Sequence, residues 1–332
     1  MGTSTSERSS GLSADERRLQ TFAITSKRRM LLVVNPHAAT VSERTRELVV
    51  RALNGRYDLD AIDTEGPGHA TALCREAAHE GYDVVVAYGG DGTVNEAANG
   101  LLGSATALCA LPGGSANVFV KILGIPGDPI DATEHVLALA DDWRARKIDL
   151  GVVNGRCFTF NSGVGLDASV VERVDARPDL KARFGPHFFT WKALSTFARR
   201  YLLRAPRIEA HVAGRTLRGV TIVVQNGAPY TYFNDHPIEI SEGAALDSGT
   251  LAGAILRRAT PLGLATIGLR GALSPRLRTV QHRQIDGFQD VEHLTVRTAD
   301  GRPVPLQVDG DFLGDVDEAR YSIRPQALTV VA

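Results

Sequence analysis

A glycine-rich turn between a strand and a helical pattern constrains the fold of this chain most. The apolar run at 84–87 is followed by Gly89-Gly90-Asp91-Gly92-Thr93-Val94-Asn95-Glu96. Three glycines in four positions let backbone N–H groups approach an anion, and the helix start adds a partial positive charge. A plain strand–helix turn needs only one glycine, so the segment predicts a phosphate-binding turn. The Asp91 carboxylate would repel phosphate unless a metal ion or a hydrogen-bond donor lies between them.

Size and composition set the broad class of the protein. The 332 residues exceed one typical core, so we expect two domains, and a hydrophobic content of 43% supports globular packing. The formal net charge of −1 argues against a general nucleic-acid binder. The three cysteines form no CxxC pair, which favours reduced thiols in the cytoplasm. Residues 1–28 lack the apolar stretch of a signal peptide and are predicted to be a flexible tail.

Strands alternate with helices along residues 29–147. We expect strands at 30–34, 57–62, 83–88 and 107–111 and helices at 43–53, 69–80, 94–102 and 131–142. Such alternation predicts a parallel sheet covered on both faces, with ligands at the carboxyl ends of its strands. Asn35, Thr64, the 89–93 turn and the 112–115 turn all follow predicted strands. We therefore expect them to meet at one edge of the sheet.

Short β-patterned segments separated by turn residues follow residue 147. They cover 148–153, 156–161, 207–213, 216–225, 250–256, 291–298, 303–308 and 319–331. This pattern predicts an antiparallel β-sandwich as a second domain over 148–332. Residues 188–203 interrupt it, because their apolar and aromatic side chains recur at helical spacing.

Seven segments in order give the chain a specific resemblance. They are Asn35-Pro36, Thr64 with Gly68-His69-Ala70, 89–101, 113–117, 161–167, 246–249 and 308–311. Together they resemble the diacylglycerol kinase catalytic family, which includes bacterial lipid kinases and sphingosine kinases. The resemblance implies an ATP-dependent kinase acting on a lipid hydroxyl. It also implies an α/β nucleotide-binding domain, a β-sandwich lipid-substrate domain and an active site in the cleft between them.

The resemblance and the needs of phosphoryl transfer together give roles to the site residues. Gly89, Gly90 and Gly92 would bring N–H groups to the ATP phosphates, and Asp91 would act through magnesium (Mg²⁺), directly or through water. The other residues expected to hold the nucleotide are Asn35, Pro36, Thr64, Thr93, Asn95, Gly114 and Ser115. Glu96, at the same site, is expected to cap or charge the helix start. Asp247 is a second candidate Mg²⁺ ligand, although Ser248 stands where the family often has another acid.

Asp309 and Asp311 are the candidates for the general base, which must approach the substrate hydroxyl to about 3 Å. They follow the β-patterned run 303–308, with Gly310 between them. Residues at i and i+2 of an extended chain point the same way, so both carboxylates are expected to face the cleft. The family usually has Asp-Gly-Glu here, and the shorter Asp311 leaves open which acid is the base. The alternative is a polar hairpin turn.

Residues 173–218 carry eleven Lys or Arg with aromatic residues between them. Such a segment predicts a helix resting on an anionic membrane, the alternative being a helix packed on the sandwich with a solvated basic face. We thus expect a cytoplasmic, peripherally membrane-associated kinase with a lipid substrate and no nucleic-acid partner; homo-oligomerisation stays open. Diacylglycerol is the first acceptor to consider, because the resemblance favours it. An NAD kinase, which shares the glycine turn, and a catalytically silent lipid- or nucleotide-binding module are the alternatives.

Overall fold

The computed structural model describes residues 27–165, 168–169, 207–233, 236–258, 260, 263 and 282–332. The predicted helix at 188–203 and most of the basic segment 173–218 lie outside the described residues. No helix in the described ranges is long and apolar enough to span a bilayer.

The first half of the chain is a parallel α/β sheet, as predicted. Its elements are β1 (Arg29–Val34), α1 (Glu43–Asn54), β2 (Asp58–Asp63), α2 (His69–His79), β3 (Val84–Gly89), α3 (Asp91–Gly100), β4 (Ala107–Pro112), α4 (Val118–Ile122) and α5 (Pro129–Ala138). The strands lie in the order β2-β1-β3-β4 and run parallel. Helix α1 packs on α5 and α2 packs on α3. All residues of β3 and β4 are buried, as expected for central strands with helices on both faces.

Local capping explains where the helices differ from the sequence prediction. Helix α5 begins at Pro129 rather than at 131, because the Asp128 side chain accepts hydrogen bonds from the next turn and proline suits the first helical position. Helix α3 begins at Asp91 rather than at 94, with Gly90 as its N-cap. Most of the glycine turn is therefore the first turn of a helix. The short helix α4 was not predicted.

The second half is antiparallel. Its strands are β5 (Ala145–Val153), β6 (Arg156–Phe158), β7 (Asn161–Gly165), β8 (Ile208–Val212), β9 (Arg215–Gly219), β10 (Thr221–Gln225), β11 (Thr231–Phe233), β12 (His236–Ile238), β13 (Leu251–Leu256), β14 (Ile285–Val291), β15 (His293–Thr298), β16 (Val304–Val308), β17 (Asp311–Val316) and β18 (Glu318–Val331). One sheet has the order β14-β13-β10-β7-β16-β17. Strands β11, β12, β14 and β17 were not predicted, β7 extends beyond the predicted run 156–161, and the run 216–225 forms two strands.

The final strand joins the two halves. Strand β18 pairs antiparallel with β15 and β5, and its end pairs parallel with β4, where Val330 lies opposite Leu108. The last residues of β18 are buried in the same hydrophobic core as the first-half strands, and a second core lies between the antiparallel sheets. The predicted α/β plus antiparallel β fold is confirmed, with one sheet continuous between the halves. The domain boundary at residue 147 stays a prediction.

Candidate active site

Two glycine turns pack against each other at the carboxyl ends of β3 and β4. The Gly113 N–H donates to the Gly89 carbonyl at 2.8 Å. A Cβ on Gly113 would lie 2.8 Å from the Gly89 Cα, and one on Gly114 would lie 2.7 Å from the Gly90 Cα. Backbone therefore meets backbone at a distance that only glycine allows.

The N-terminal turn of α3 presents hydrogen-bond donors. Its N-cap, Gly90, has no side chain to cap the helix. Within the part of the chain that the structure describes, no backbone carbonyl of another element accepts a hydrogen bond from the amide N–H of Gly92 or Thr93. These donors, together with the helix dipole, favour an anion such as phosphate at this point.

The predicted polar residues of the other loops lie around this turn. The Asn35 Nδ2 donates to the Thr93 Oγ1 at 3.1 Å, which joins the end of β1 to the start of α3. Thr64 follows β2, and its N–H donates to the carbonyl of Val34, the last residue of β1. Ser115 is exposed beside Gly114 in the second glycine turn. Exposed Pro36 follows Asn35, so all these residues lie at the carboxyl ends of the strands.

A cavity of about 590 Å³ opens beside the second glycine turn. Ser115, Asn117 and Lys121 line one part of it, and Thr45 and Asp128 line another. The cavity thus offers hydroxyl, amide and charged groups next to the turn that carries Gly114.

Asp91 contacts the backbone of α4. Its Oδ2 accepts from the Val118 N–H at 3.1 Å and its Oδ1 from the Phe119 N–H at 3.0 Å. Burial raises the pKa of Asp91 to about 6, and the two N–H donors act against that rise. The carboxylate therefore fastens the segment after the second glycine turn to the start of α3. These two hydrogen-bond donors thus offset the negative charge of the Asp91 carboxylate. The expected action of Asp91 through Mg²⁺ stays a prediction.

Asn95 was predicted to hold the nucleotide, and this prediction is wrong. The side chain is fully buried. Its Nδ2 donates to the Cys157 carbonyl at 3.0 Å and to the Asp309 Oδ2 at 2.7 Å, and its Oδ1 accepts from Arg156 at 2.6 Å. These protein partners and the burial leave no side-chain atom of Asn95 for a ligand in this conformation.

Glu96 caps a helix start, but that of α2 rather than of its own helix. Its Oε1 accepts from the Gly68 N–H at 2.7 Å and its Oε2 from the Ala70 N–H at 3.2 Å. The side chain therefore joins α3 to α2, and its carboxylate binds the backbone at the start of α2 where a contact with the nucleotide was predicted.

Asp309 and Gly310 form the two-residue turn between β16 and β17. Their φ angles are 46° and 87°, and Val308 pairs with Asp311 across the hairpin. Two positive φ angles are typical of the tight turns that match the twist of paired strands. The chain is therefore not extended here, and the i, i+2 argument that placed both carboxylates in the cleft was wrong.

Asp309 is a buried acceptor with five hydrogen bonds. Its Oδ1 accepts from the Phe160 and Asn161 N–H groups at 3.0 Å each. Its Oδ2 accepts from the Thr159 N–H and Oγ1 at 2.6 and 2.8 Å and from Asn95. Burial raises the pKa of Asp309 above its ordinary value, and the backbone donors only partly counteract this rise. With 3% of its surface exposed and its oxygens occupied, Asp309 is an anchor and not an accessible base.

Asp311 lies against the start of α3. A Cβ on Gly92 would lie 2.5 Å from the Asp311 Oδ2 and 2.9 Å from its Oδ1. The hairpin of the second half therefore brings a carboxylate to the first turn of α3. Of the two predicted candidates, Asp311 is the one in the cleft.

Asp247 lies apart from these residues. It is exposed in a turn before β13. The buried Asp149 holds this region, because its Oδ2 accepts from the Gly249 N–H at 2.7 Å and its Oδ1 from the Gln326 N–H at 2.8 Å. Among the described residues, no three His, Cys, Asp or Glu side chains are grouped as metal ligands. A metal ion at Asp247 stays a prediction that this geometry does not support.

Sequence reasoning missed the anchoring roles of Arg156, Thr159 and Asp149. These residues act through contacts between segments far apart in the chain, so no local pattern shows them. The motif at 161–167 was the nearest signal, since its first residue donates a backbone N–H to Asp309.

Comparisons with known proteins agree with the motifs. The sequence model of the diacylglycerol kinase catalytic domain matches residues 29–153. Diacylglycerol kinases of Staphylococcus aureus strains bovine RF122 / ET3-1 and MRSA252 are each 25% identical over 293 residues, covering 87% of this chain and 87% of theirs. A crystal structure of a diacylglycerol kinase from Bacillus anthracis str. Sterne has the same fold, with a TM-score of 0.67, 20% identity and coverage of 93% of this chain and 98% of that one. Residues 29–153 are thus similar to the diacylglycerol kinase catalytic domain, as the glycine turns and their flanking motifs predict.

Proposed function

We propose that the protein is an ATP-dependent lipid kinase that transfers the γ-phosphoryl group of ATP to a lipid hydroxyl. One observation carries the proposal: the Asp311 carboxylate lies against the first turn of α3, beside Gly92 of the glycine turn. An acid and a set of phosphate donors at one point are what transfer to a hydroxyl needs. The family match and the Staphylococcus aureus relatives make diacylglycerol the first acceptor to test, with phosphatidic acid as the product.

The nucleotide phosphates are assigned to the start of α3. Backbone donors of the glycine turn would neutralise phosphate charge without the cost of ordering long side chains. Asn35 and Thr93 form one wall of this position, and Gly114 and Ser115 form another. Thr64 borders the same strand ends. Transfer of a phosphoryl group depends mainly on such positioning and charge neutralisation.

Asp311 is assigned as the general base. It would accept the proton of the lipid hydroxyl as that oxygen forms its bond to the γ-phosphorus and the bond to the ADP oxygen breaks. Asp309 is unsuited to this role, because its five hydrogen bonds occupy both oxygens.

Magnesium fits the donor chemistry of the site. Mg²⁺ at phosphate-transfer sites is usually bound by one or two carboxylates plus the substrate phosphates, so a larger acidic cluster is not required. Asp91, on the first turn of α3, would hold the ion directly or through water, and Asp311 is kept for the proton of the lipid hydroxyl. When bound, the ion would supply charge neutralisation for the phosphates.

Phosphate transfer from labelled ATP to a panel of lipids tests the proposal. The panel contains diacylglycerol, monoacylglycerol, a sphingoid base and a polyprenol, each in mixed micelles with Mg²⁺. We expect a labelled lipid product, and its loss by more than about 100-fold in Asp311→Asn, the range expected for removing a general base. Asp315→Asn is the matched control, because Asp315 is exposed on the same strand.

Three results would contradict the proposal. Label transfer that is equal in wild type and Asp311→Asn would remove the base from its assigned role. Formation of NADP from NAD without any lipid product would favour the NAD kinase alternative. ATP binding without transfer to any acceptor would favour the silent binding module. Contact with an anionic membrane, homo-oligomerisation and cytoplasmic localisation stay predictions, and vesicle sedimentation tests the first of them.

A further inference from the structure

A buried polar cluster joins α3 to the hairpin that carries Asp311. Asn95 lies one turn along α3 from the glycine turn, and its Nδ2 donates to the Asp309 Oδ2 at 2.7 Å. Arg156 donates to the Asn95 Oδ1 at 2.6 Å. Because a guanidinium has donors only, this contact fixes which end of the amide is the oxygen. The Asn95 Nδ2 therefore faces Asp309.

The hairpin is fastened from its own half as well. The Asp309 N–H donates to the Asn161 carbonyl at 2.9 Å, and the Gly310 N–H donates to the Gln307 Oε1 at 2.9 Å. The Thr159 hydroxyl and three backbone N–H groups donate to the Asp309 carboxylate. One residue separates this anchor from Asp311. The hairpin therefore cannot move relative to α3 without breaking buried hydrogen bonds to a charged group.

We propose that Asn95 is a positioning residue for phosphoryl transfer, which acts through Asp309 to set the location of Asp311 relative to the amides at the start of α3. This inference rests on the proposed function. The Asn95 side chain is fully buried and bonded to protein groups, so its effect is expected on the rate of transfer and not on nucleotide binding. A displacement of about 1 Å in a catalytic group can lower a rate by about 100-fold.

The chain offers a matched control for Asn95 one turn further along α3. Asn99 also bonds to β6: its Nδ2 donates to the Cys157 carbonyl at 3.1 Å and its Oδ1 accepts from the Cys157 N–H at 3.1 Å. Its Nδ2 also donates to the Asn95 carbonyl at 2.8 Å and to the Asn95 Oδ1 at 3.2 Å, but it makes no hydrogen bond to Asp309. Asn95→Ala and Asn99→Ala thus both remove contacts between α3 and β6, and both are expected to lower Tm, Asn95→Ala by more because it also leaves Asp309 and Arg156 short of a hydrogen-bond partner. Only Asn95→Ala removes the contact with the hairpin.

Steady-state kinetics separate the two variants. We expect Asn95→Ala to lower kcat by about 100-fold, with the KM for ATP changed by no more than about twofold. Asn99→Ala is expected to keep kcat within about threefold of wild type.

A milder variant keeps the test valid if Asn95→Ala fails to fold. Thr159→Val removes one hydroxyl donor to Asp309 and keeps a similar size. Four of the five bonds to the carboxylate remain, so we expect a fall in kcat of about tenfold with an unchanged KM for ATP. Thr133→Val on α5 is its control, because that buried hydroxyl donates to the Pro129 carbonyl, far along the chain from the hairpin.

Equal losses of kcat in Asn95→Ala and Asn99→Ala would overturn the inference, as would a raised KM for ATP with an unchanged kcat. Amide hydrogen exchange distinguishes this failure from failure of the proposed function, because it needs no activity. Faster exchange at residues 309–311 in Asn95→Ala and not in Asn99→Ala would support the coupling even in a protein that phosphorylates no lipid. Equal exchange in the two variants would contradict it.

Discussion

Gly92→Ala is the sharpest perturbation of the cleft, because the added methyl group meets one functional group. The new Cβ would lie 2.5 Å from the Asp311 Oδ2, whereas an ordinary contact needs at least 3.4 Å. The carboxylate must therefore move by about 0.9 Å. A carboxylate is the end of a flexible side chain, so the protein accommodates the methyl group by displacing the base and not by unfolding.

The magnitude follows from that displacement. A shift of about 1 Å in a catalytic group costs about 100-fold in rate, which corresponds to about 2.7 kcal/mol of transition-state stabilisation. Alanine also has a higher helix propensity than glycine, by up to about 1 kcal/mol. We therefore expect kcat for lipid phosphorylation to fall by about 100-fold while Tm stays the same or rises.

The assay compares kcat and Tm of Gly92→Ala with those of Gly66→Ala. A Cβ on Gly66 meets no atom within 4 Å, so this control makes the same substitution without a clash. A kcat of Gly92→Ala within about threefold of wild type would refute the assignment of Asp311 as the base at this position. A lowered Tm with unchanged kcat per folded molecule would likewise refute it.

Three further predictions concern the residues around the glycine turns. In Gly114→Ala the Cβ would lie 2.7 Å from the Gly90 Cα, which cannot swing aside, so we expect a loss of about 1–3 kcal/mol in the free energy of unfolding, measured by urea titration, together with weaker ATP binding by calorimetry. Burial raises the pKa of Asp91 in the folded protein from 3.8 to about 6. In metal-free buffer its contribution to the free energy of unfolding is therefore full below pH 4, and about 3 kcal/mol of it is lost as the pH rises through 6. Asp91→Asn should remove this part of the pH dependence, and an identical dependence in both proteins would contradict the prediction. Glu96→Ala should lower the free energy of unfolding by about 1–2 kcal/mol without raising the KM for ATP, because Glu96 caps α2; a raised KM at unchanged stability would instead indicate contact with the nucleotide.

The arrangement of the two glycine turns could be predicted from the sequence because their residues are close in the chain or follow successive parallel strands. Three glycines in one turn indicate that the backbone itself approaches another group closely, and the carboxyl ends of parallel strands share one edge of a sheet. The predicted meeting of Asn35, Thr93 and the second glycine turn depends only on these local facts.

The base end could not be predicted in the same way. Which carboxylate faces the cleft depends on the hairpin register of β16 with β17 and on the packing of that hairpin against α3. The environment of Asn95 could not be predicted for the same reason. The second turn of α3 packs against the second half of the chain, where Asn95 bonds to Cys157 and Asp309. The position of Asn95 next to the glycine turn in the sequence therefore did not mean that its side chain lies open to a nucleotide.

The sequence presented a hairpin turn and a pair of acids in the cleft as alternatives, but Asp309 lies in the turn of the hairpin and Asp311 begins its second strand. A two-residue turn with positive φ at both positions favours Asp-Gly, so Asp309 satisfies the turn while its side chain reaches the buried donors. The turn then returns the chain in the paired register, and the first residue of β17 is the one that faces α3. An acid placed there gains its position from the anchor two residues earlier. The side chain of Asp311 is short, so its carboxylate stays close to the backbone of β17. The fixed conformation of the turn thus holds this carboxylate at a defined distance from the start of α3.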